Sequence, residues 1–152
     1  MITKRKSWQE KLADSKGLPK VARIEGNLSK RWGEGTFVIP APIEVDEIMR
    51  KVRKGKVTTI DAIRKELARK HGTTMACPIT TGIFAWIAAH AANEAAAAGM
   101  KRITPYWRTL KSGGELNPKY PGGIDGLKKL LGREWHSFVR RGKRFFVENS
   151  NG

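Results

Sequence analysis

The chain has 152 residues, of which 39% are hydrophobic and 29% are charged, so it suits one packed domain rather than a disordered chain. Its 30 Lys and Arg residues against 14 Asp and Glu residues give a net charge of +16, which indicates a polyanionic partner, nucleic acid ahead of an acidic membrane surface. The single cysteine excludes an internal disulfide framework and a cysteine-rich zinc site.

The first 35 residues are predicted to form a basic N-terminal arm, because they are rich in Gly and basic side chains and have little hydrophobic periodicity. Ser7 is a candidate cap for a short helix that places Trp8 and Leu12 on one face. We expect the arm to pack a little and to stay mobile at its tip. A plain solubilising tail is the alternative interpretation.

Residues 36–148 are predicted to form the folded domain, and its first half alternates short strands with helices. The predicted elements are a strand at 36–39, a helix over 43–54, a brief β segment at 57–59 and a helix that begins at Thr59 or Asp61 and ends at His71. Gly72 is predicted to terminate this second helix.

A long alanine-rich helix is predicted from Pro78 to Ala98, because proline favours the first helical position and Gly99 follows the last. One stripe of this helix carries Ile79, Ile83, Trp86, Ile87 and His90, whereas the other positions are mostly small. Small side chains allow close approach either to the floor of a DNA groove or to another helix, and the pattern leaves both open.

The last part of the chain is predicted to form a helix over 124–134, a basic β-hairpin over 138–147 and a disordered tail at 149–152. We therefore predict a mainly α fold with short β-strands, in a winged-helix-like arrangement that contains a helix-turn-helix. The longest apolar run, 83–92, is too short to cross a bilayer, so no membrane partner is expected.

Enzymatic patterns are weak. If 78–90 is one helix, Cys77 lies about 20 Å from His90, beyond the reach of a proton transfer. Cys77 is more simply a small hydrophobic residue at a helix start, although a reactive thiol there is an alternative. The three histidines have no metal-ligand spacing, and no phosphate-binding or dinucleotide motif is present, so no metal or cofactor is expected.

Several short motifs occur in a fixed order between residues 43 and 138. They are Lys54-Gly55-Lys56-Val57-Thr58-Thr59, Thr104-Pro105-Tyr106-Trp107-Arg108, Ser112-Gly113-Gly114, Tyr120-Pro121-Gly122-Gly123 and Leu130-Leu131 followed by Glu134-Trp135-His136. In order and spacing they resemble the C-terminal DNA-binding domain of the alkylguanine-DNA alkyltransferases.

The departures from that family bear on function. Tyr106 stands where the family has its acceptor cysteine, and Trp107 stands where it has the histidine that activates the cysteine. A phenol beside an indole supplies neither a thiolate nor a base, so we expect no catalytic residue there. The pattern is closer to the alkyltransferase-like proteins, which the resemblance implies bind alkylated DNA and mark it for excision. The family's helix arginine is also absent, and Ile79 lies near its position.

The resemblance and the charge pattern together give candidate site residues. Those expected at the groove are Thr80, Thr81, Gly82 and Ala85; at phosphates Arg64, Arg108, Lys111, Arg140, Arg141 and Lys143; and in an alkyl-base pocket Tyr106, Trp107, Tyr120, Gly122 and Gly123. The expected partners are duplex DNA with an alkylated guanine and excision-repair proteins, in the cytoplasm or on a prokaryotic nucleoid.

Two other functions are compatible with the residues. One is an alkyltransferase or another enzyme that uses Cys77. The other is a general RNA- or DNA-binding structural protein in which charge alone provides the affinity.

Overall fold

The computed structural model describes residues 6–148; residues 1–5, the first part of the expected arm, and 149–152, the expected disordered tail, lie outside the described residues. The helices are α1 (Trp8–Ala13), α2 (Asn27–Trp32), α3 (Pro42–Arg50), α4 (Ile60–His71), α5 (Pro78–Ala97) and α6 (Gly123–Gly132). The strands are β1 (Lys20–Arg23), β2 (Thr36–Ile39), β3 (Thr58–Thr59), β4 (Met75–Ala76), β5 (Thr109–Leu110), β6 (Phe138–Arg141) and β7 (Arg144–Val147). The predicted mainly α fold with short strands is confirmed.

The strands form three small sheets. β1 is antiparallel to β2, and β2 is parallel to β4, which gives a three-stranded sheet in the order β1-β2-β4. β3 pairs with β5 in parallel. Because the two strands run in the same direction, the start of α4, which follows β3, lies at the same end of the pair as the loop that follows β5. β6 and β7 form the terminal hairpin around a turn at Gly142, whose φ is +62°.

Helix α5 lies at the centre of the domain, where it packs against α1, α3 and α4. Its small face is turned inward: Ala85, Ala88 and Ala89 are fully buried. Because alanine occupies little volume, neighbouring helices approach the backbone of α5 closely. Larger residues of the neighbours, such as Met49 and Leu67, fill the remaining space of the core.

The large stripe of α5 does not act as a single buried face. Ile87 is buried in the core, whereas Ile79 is 62% exposed and Ile83 is 46% exposed. Trp86 and His90 are covered by Trp8 of α1. The stripe therefore has three different environments, and its first two members lie on the surface.

Residues 6–35, the described part of the expected arm, are folded onto the domain. Trp8 stacks on His90 with ring centroids 4.6 Å apart and meets Trp86 edge-on at 4.8 Å. The Glu94 carboxylate accepts hydrogen bonds from two backbone N–H groups at the start of α1, each at 3.1 Å. β1 also pairs with β2, so the boundary expected at residue 35 separates two hydrogen-bonded strands.

Helix α3 is shorter than the hydrophobic pattern predicts. It ends at Arg50, and the chain then turns before Gly55, whose φ is +85°. The backbone carbonyl of Val52 accepts a hydrogen bond of 2.7 Å from Nη1 of Arg108. This tertiary contact gives a partner to a carbonyl that the predicted helix would also have left without one, because the last four carbonyls of a helix have no intrahelical donor.

Candidate nucleic-acid interface

A surface cavity of about 620 Å³ opens between the start of α4, the exposed side of α5 and the loop over 111–119. We call it the α4–α5 cavity. Its lining residues are Ile60, Asp61, Arg64, Pro78, Ile79, Gly82, Ile83, Trp86, Lys111, Ser112, Asn117, Pro118 and Lys119. Most of the exposed lining is apolar, with a few polar groups at the loop side, as in typical ligand pockets of 300–1,000 Å³.

Local sequence explains how each wall of the cavity is positioned. The Thr59 hydroxyl caps α4 by accepting from the N–H of Ala62 at 3.2 Å. Pro78 occupies the first position of α5. In the loop wall, Gly113 and Gly114 have φ values of +77° and +86°, a conformation that glycine adopts without strain.

The loop wall is fixed to α5 by two side chains. The indole Nε1 of Trp86 donates to the backbone carbonyl of Lys119 at 3.2 Å, and Nε2 of His90 lies 3.0 Å from the same oxygen. Trp86 also lines the cavity. The width of the cavity is therefore set by packed groups rather than by a freely moving loop.

Three cationic side chains and one carboxylate border the cavity. Lys111 and Lys119 belong to exposed residues of the loop. Arg64 is more constrained: its Nε donates to the carbonyl of Ala76 at 3.0 Å, and its Nη1 lies 3.7 Å from Asp61. Nζ of Lys111 lies 3.7 Å from the Glu115 carboxylate, so Lys119 is the more adaptable of the two lysines at the rim, and Arg64 provides a fixed positive charge.

The predicted groove residues of α5 separate into two groups. Thr81 and Ala85 are fully buried, and the Thr81 hydroxyl donates to the carbonyl of Cys77 at 2.6 Å. These two side chains cannot reach a ligand on the surface, so their assignment to the groove is wrong. Gly82 lines the cavity, and Thr80 is half-buried beside it.

Arg108 is also misassigned as a phosphate contact. Its side chain is only 13% exposed, and Nε and Nη2 donate to the Glu134 carboxylate at 2.9 Å and 2.8 Å. Nε1 of Trp107 donates to the same carboxylate at 3.0 Å. Burial raises the pKa of the Glu134 carboxyl, but the hydrogen bonds from Arg108 and Trp107 and the arginine charge outweigh it, so this pKa lies below its ordinary value.

The predicted alkyl-base pocket is not formed by the residues assigned to it. Tyr106 and Tyr120 are 6% and 3% exposed and pack edge to face within the core. Burial raises the pKa of both phenols, so neither supplies a phenolate near neutral pH. Gly122 and Gly123 instead shape the start of α6, with φ values of +85° and +63°. None of the four lines the α4–α5 cavity, and Trp107 does not line it either.

The terminal hairpin carries the other predicted phosphate contacts on its surface. Arg140, Arg141 and Lys143 are exposed. The guanidinium of Arg140 lies 5.8 Å from the ring centroid of Phe145, and that of Arg141 lies 5.3 Å from the centroid of Phe146. The aromatic rings hold these cations at the surface in defined positions.

Cys77 is buried among Ile24 and Phe37, in a small second cluster of the core. It precedes α5 and does not line the cavity. Within residues 6–148, no group of three or more His, Cys, Asp or Glu residues is arranged to hold a metal ion. None of the helices in this part of the chain combines the length and the apolar character needed to cross a bilayer.

The residues that sequence reasoning did not assign to the interface are mainly Ile83 of α5 and Asn117, Pro118 and Lys119 of the loop. For Ile79 the sequence predicts only its place near the family's helix arginine, and the structure adds that it lines the cavity. A usable signal exists for the isoleucines: a helix with one small face and one large face packs the small face inward when its neighbours supply the bulk. The loop residues have no comparable local signal.

No protein family matches the chain, and no curated protein matches it. A solved structure of S. pombe Atl1 in complex with damaged DNA containing O6-carboxymethylguanine is similar to it, with 18% identity and a TM-score of 0.45, over 71% of this chain and 87% of that chain.

Proposed function

We propose that this protein is a non-enzymatic DNA-binding protein that engages duplex DNA through the minor groove and senses alkylated guanine. The observation that carries the proposal is the α4–α5 cavity, which has two exposed isoleucines at its mouth and cationic side chains on its rim. A net charge of +16 supplies the attraction to a polyanion over a longer range.

In this proposal α4 and α5 are the two helices of a helix-turn-helix, and the first turns of α5 approach the DNA. Ile79, Gly82 and Ile83 are the α5 residues that line the cavity. Minor-groove proteins commonly insert apolar side chains between base steps and unstack them. The absence of Lys and Arg from residues 71–100 fits such a contact, because the helix meets base edges while other elements meet phosphates.

The cavity suits a base that has left the stack. Ile79, Ile83 and Trp86 offer an apolar surface, and Ser112 and Asn117 offer polar groups on the opposite wall. An alkyl group on guanine adds apolar surface, which favours burial in such an environment by about 0.8 kcal/mol per methylene. This is the physical basis that we propose for discrimination between modified and unmodified guanine.

The proposal does not include alkyl transfer. Tyr106 is buried with a raised pKa, and the Trp107 indole is hydrogen-bonded to Glu134. Cys77 is buried away from the cavity. None of these groups combines a thiolate, a neighbouring base and access to the cavity, which covalent transfer would require.

Fluorescence anisotropy with two duplexes of identical sequence, one of which carries an O6-methylguanine, tests the proposal. We expect binding to both, tighter binding to the modified duplex, and affinity that falls steeply with salt. Ile79→Ala with Ile83→Ala should lower the affinity for the modified duplex without lowering the melting temperature. Val21→Ala is the matched control, since Val21 is an exposed hydrophobic residue of β1.

The same measurement distinguishes the alternatives. Equal affinity for the two duplexes would reject lesion sensing, and an equally good RNA duplex competitor would favour a general nucleic-acid-binding role. An increase in intact mass on Cys77 after incubation with the modified duplex would overturn the non-enzymatic assignment.

A further inference from the structure

Trp135 has an unusual backbone conformation and an unusual exposure for a tryptophan. The residue is 79% exposed, and its φ is +71°. Bulky residues rarely adopt this left-handed region, and the conformation costs about 1–2 kcal/mol for a residue with a Cβ. The left-handed backbone opposes folding, and a ring this exposed gains little from burial, so stability of the domain does not explain a tryptophan here.

The backbone turn itself does not need a tryptophan. Trp135 follows the end of α6, where the N–H of His136 donates to the carbonyl of Leu131 at 3.1 Å and so closes the turn. A residue in the left-handed conformation at this point of a helix end is usually glycine, sometimes asparagine. Glycine would form the same turn without strain. The geometry of this turn therefore does not require the indole.

One edge of the indole packs over Gly55, and several cationic residues lie nearby. The ring edge lies over Gly55, where an added Cβ would be 3.8 Å from Cζ3 of Trp135. The ammonium group of Lys54 lies 5.5 Å from the ring centroid. Arg53, Lys56 and Arg133, next to these residues along the chain, are also exposed.

Few carboxylates occur in the two stretches of sequence that form this group. Residues 51–60 contain no Asp or Glu, and residues 126–137 contain only Glu134, which is buried and paired with Arg108. The cluster also lies apart from the α4–α5 cavity, because Trp135 and its neighbours do not line it. Four residues, 56–59, separate Gly55 from Ile60 at the cavity wall, so their Cα atoms are at most about 17 Å apart.

We infer that Trp135 is a stacking platform for an unpaired nucleobase of single-stranded DNA, with Lys54 and its cationic neighbours at the adjoining phosphates. The inference rests on the proposed DNA-binding function and adds a second contact outside the cavity. An exposed indole offers a π-face to any base, and flanking Lys and Arg side chains attract the backbone. An acidic peptide would satisfy the charges but would not stack over the full indole face.

The test compares single-strand and duplex affinities in two substitutions. Trp135→Gly removes the indole and the strain together, whereas Trp135→Phe keeps an aromatic face. Anisotropy with labelled dT12 and a 12-base-pair duplex is measured at the same salt concentration, with Met100→Ala as control, since Met100 is an exposed hydrophobic residue distant in sequence from the cluster.

We expect Trp135→Gly to weaken dT12 binding between about fivefold and about 150-fold, which corresponds to the loss of one stacked base. Duplex affinity should change by less than about twofold, and the melting temperature should not fall, because glycine relieves the left-handed strain. Trp135→Phe should retain most of the single-strand affinity. A purely structural role for the indole predicts the reverse, a lower melting temperature with unchanged affinity.

Unchanged dT12 affinity in Trp135→Gly would overturn the inference, and so would an equal loss of affinity for the duplex. If the wild-type protein does not bind duplex DNA at all, the proposed function is rejected. The indole-dependent affinity for dT12 would still support the platform in that case, so the two failures are distinguishable.

Discussion

Arg108 and Glu134 form a two-pronged ion pair in which Nε and Nη2 of the guanidinium lie 2.9 Å and 2.8 Å from the two carboxylate oxygens. Both side chains are largely buried, with 13% and 6% exposure. The same carboxylate accepts from Trp107 and, at 3.4 Å, from the N–H of Gly55. One carboxylate thus joins the end of α6, the segment before β5 and the loop before β3.

Arg108→Ala should destabilise the protein strongly, because it leaves the Glu134 carboxylate buried without its counter-charge. Removal of one partner of a buried pair costs about 3–5 kcal/mol. The free energy of unfolding from urea titrations measures this loss. The double substitution Arg108→Met with Glu134→Leu should be less harmful than Arg108→Ala alone, since no unpaired charge remains. A loss below about 1 kcal/mol in Arg108→Ala would contradict the importance of the pair.

The same carboxylate predicts acid sensitivity. Its pKa in the folded protein is lowered, so the stability it contributes is present above the pKa of an unfolded glutamate, about 4.3, and is lost as pH falls through the folded value. Burial raises the pKa of Glu44, but the hydrogen bonds from Lys70, Ala41 and His71 outweigh it, so this pKa is lowered too. Urea midpoints between pH 7 and pH 3 should fall most steeply below about pH 4.3. Glu134→Gln should be less stable than wild type at pH 7 and should show a shallower fall; an equally steep fall would contradict the assignment.

The inward orientation of the small face of α5 is tested by adding bulk. Ala85→Leu places extra carbon atoms where the side chain has no exposure and should cost about 1–3 kcal/mol in the free energy of unfolding. Ala97→Leu, at an exposed position of the same helix, is the control and should be nearly neutral. Normal stability with weaker DNA binding in Ala85→Leu would mean that this face meets the groove.

Features that depend on neighbouring residues could be predicted from the sequence. Ser7 caps α1 by accepting from the N–H of Glu10 at 3.1 Å, Thr59 caps α4, and Gly72 ends α4 with a φ of +64°. Pro78 begins α5 as expected. These signals are local, because a capping side chain or a permissive glycine acts within one helical turn.

Features that depend on distant partners could not be predicted in the same way. Arginine is usually exposed in folded proteins, and the burial of Arg108 requires Glu134, which lies 26 positions away in the sequence. Tyr106 and Tyr120 have polar hydroxyls that suit a pocket, yet their rings fill the core. The sequence does not decide which face of α5 points into the core, because alanine and threonine suit both a helix interface and a DNA groove.

The hairpin charges should contribute to duplex binding through counterion release. Replacement of Arg140, Arg141 and Lys143 by alanine should reduce the slope of log affinity against log salt by up to about 2.7, since each phosphate contact contributes about 0.9. Lys20, Lys30 and Lys101, which are also exposed, provide a control triple substitution of equal charge. Equal reductions in slope by the two triples would show that net charge rather than the hairpin governs affinity.

Glu94 should determine whether α1 stays attached to the domain. Its carboxylate accepts hydrogen bonds from the N–H groups of Trp8 and Gln9 at the start of α1. The start of a helix is the positive end of its dipole, which favours a negative charge there. Glu94→Ala removes both acceptors and should release the segment, so that limited trypsin digestion cuts at Lys11 faster than in wild type. Glu94→Gln keeps one acceptor oxygen and should be intermediate. Because Trp8 also packs on Trp86 and His90, which hold the loop wall of the cavity, release of α1 should weaken duplex binding as well. Faster cleavage with unchanged duplex affinity would show that the cavity does not depend on this N-terminal support.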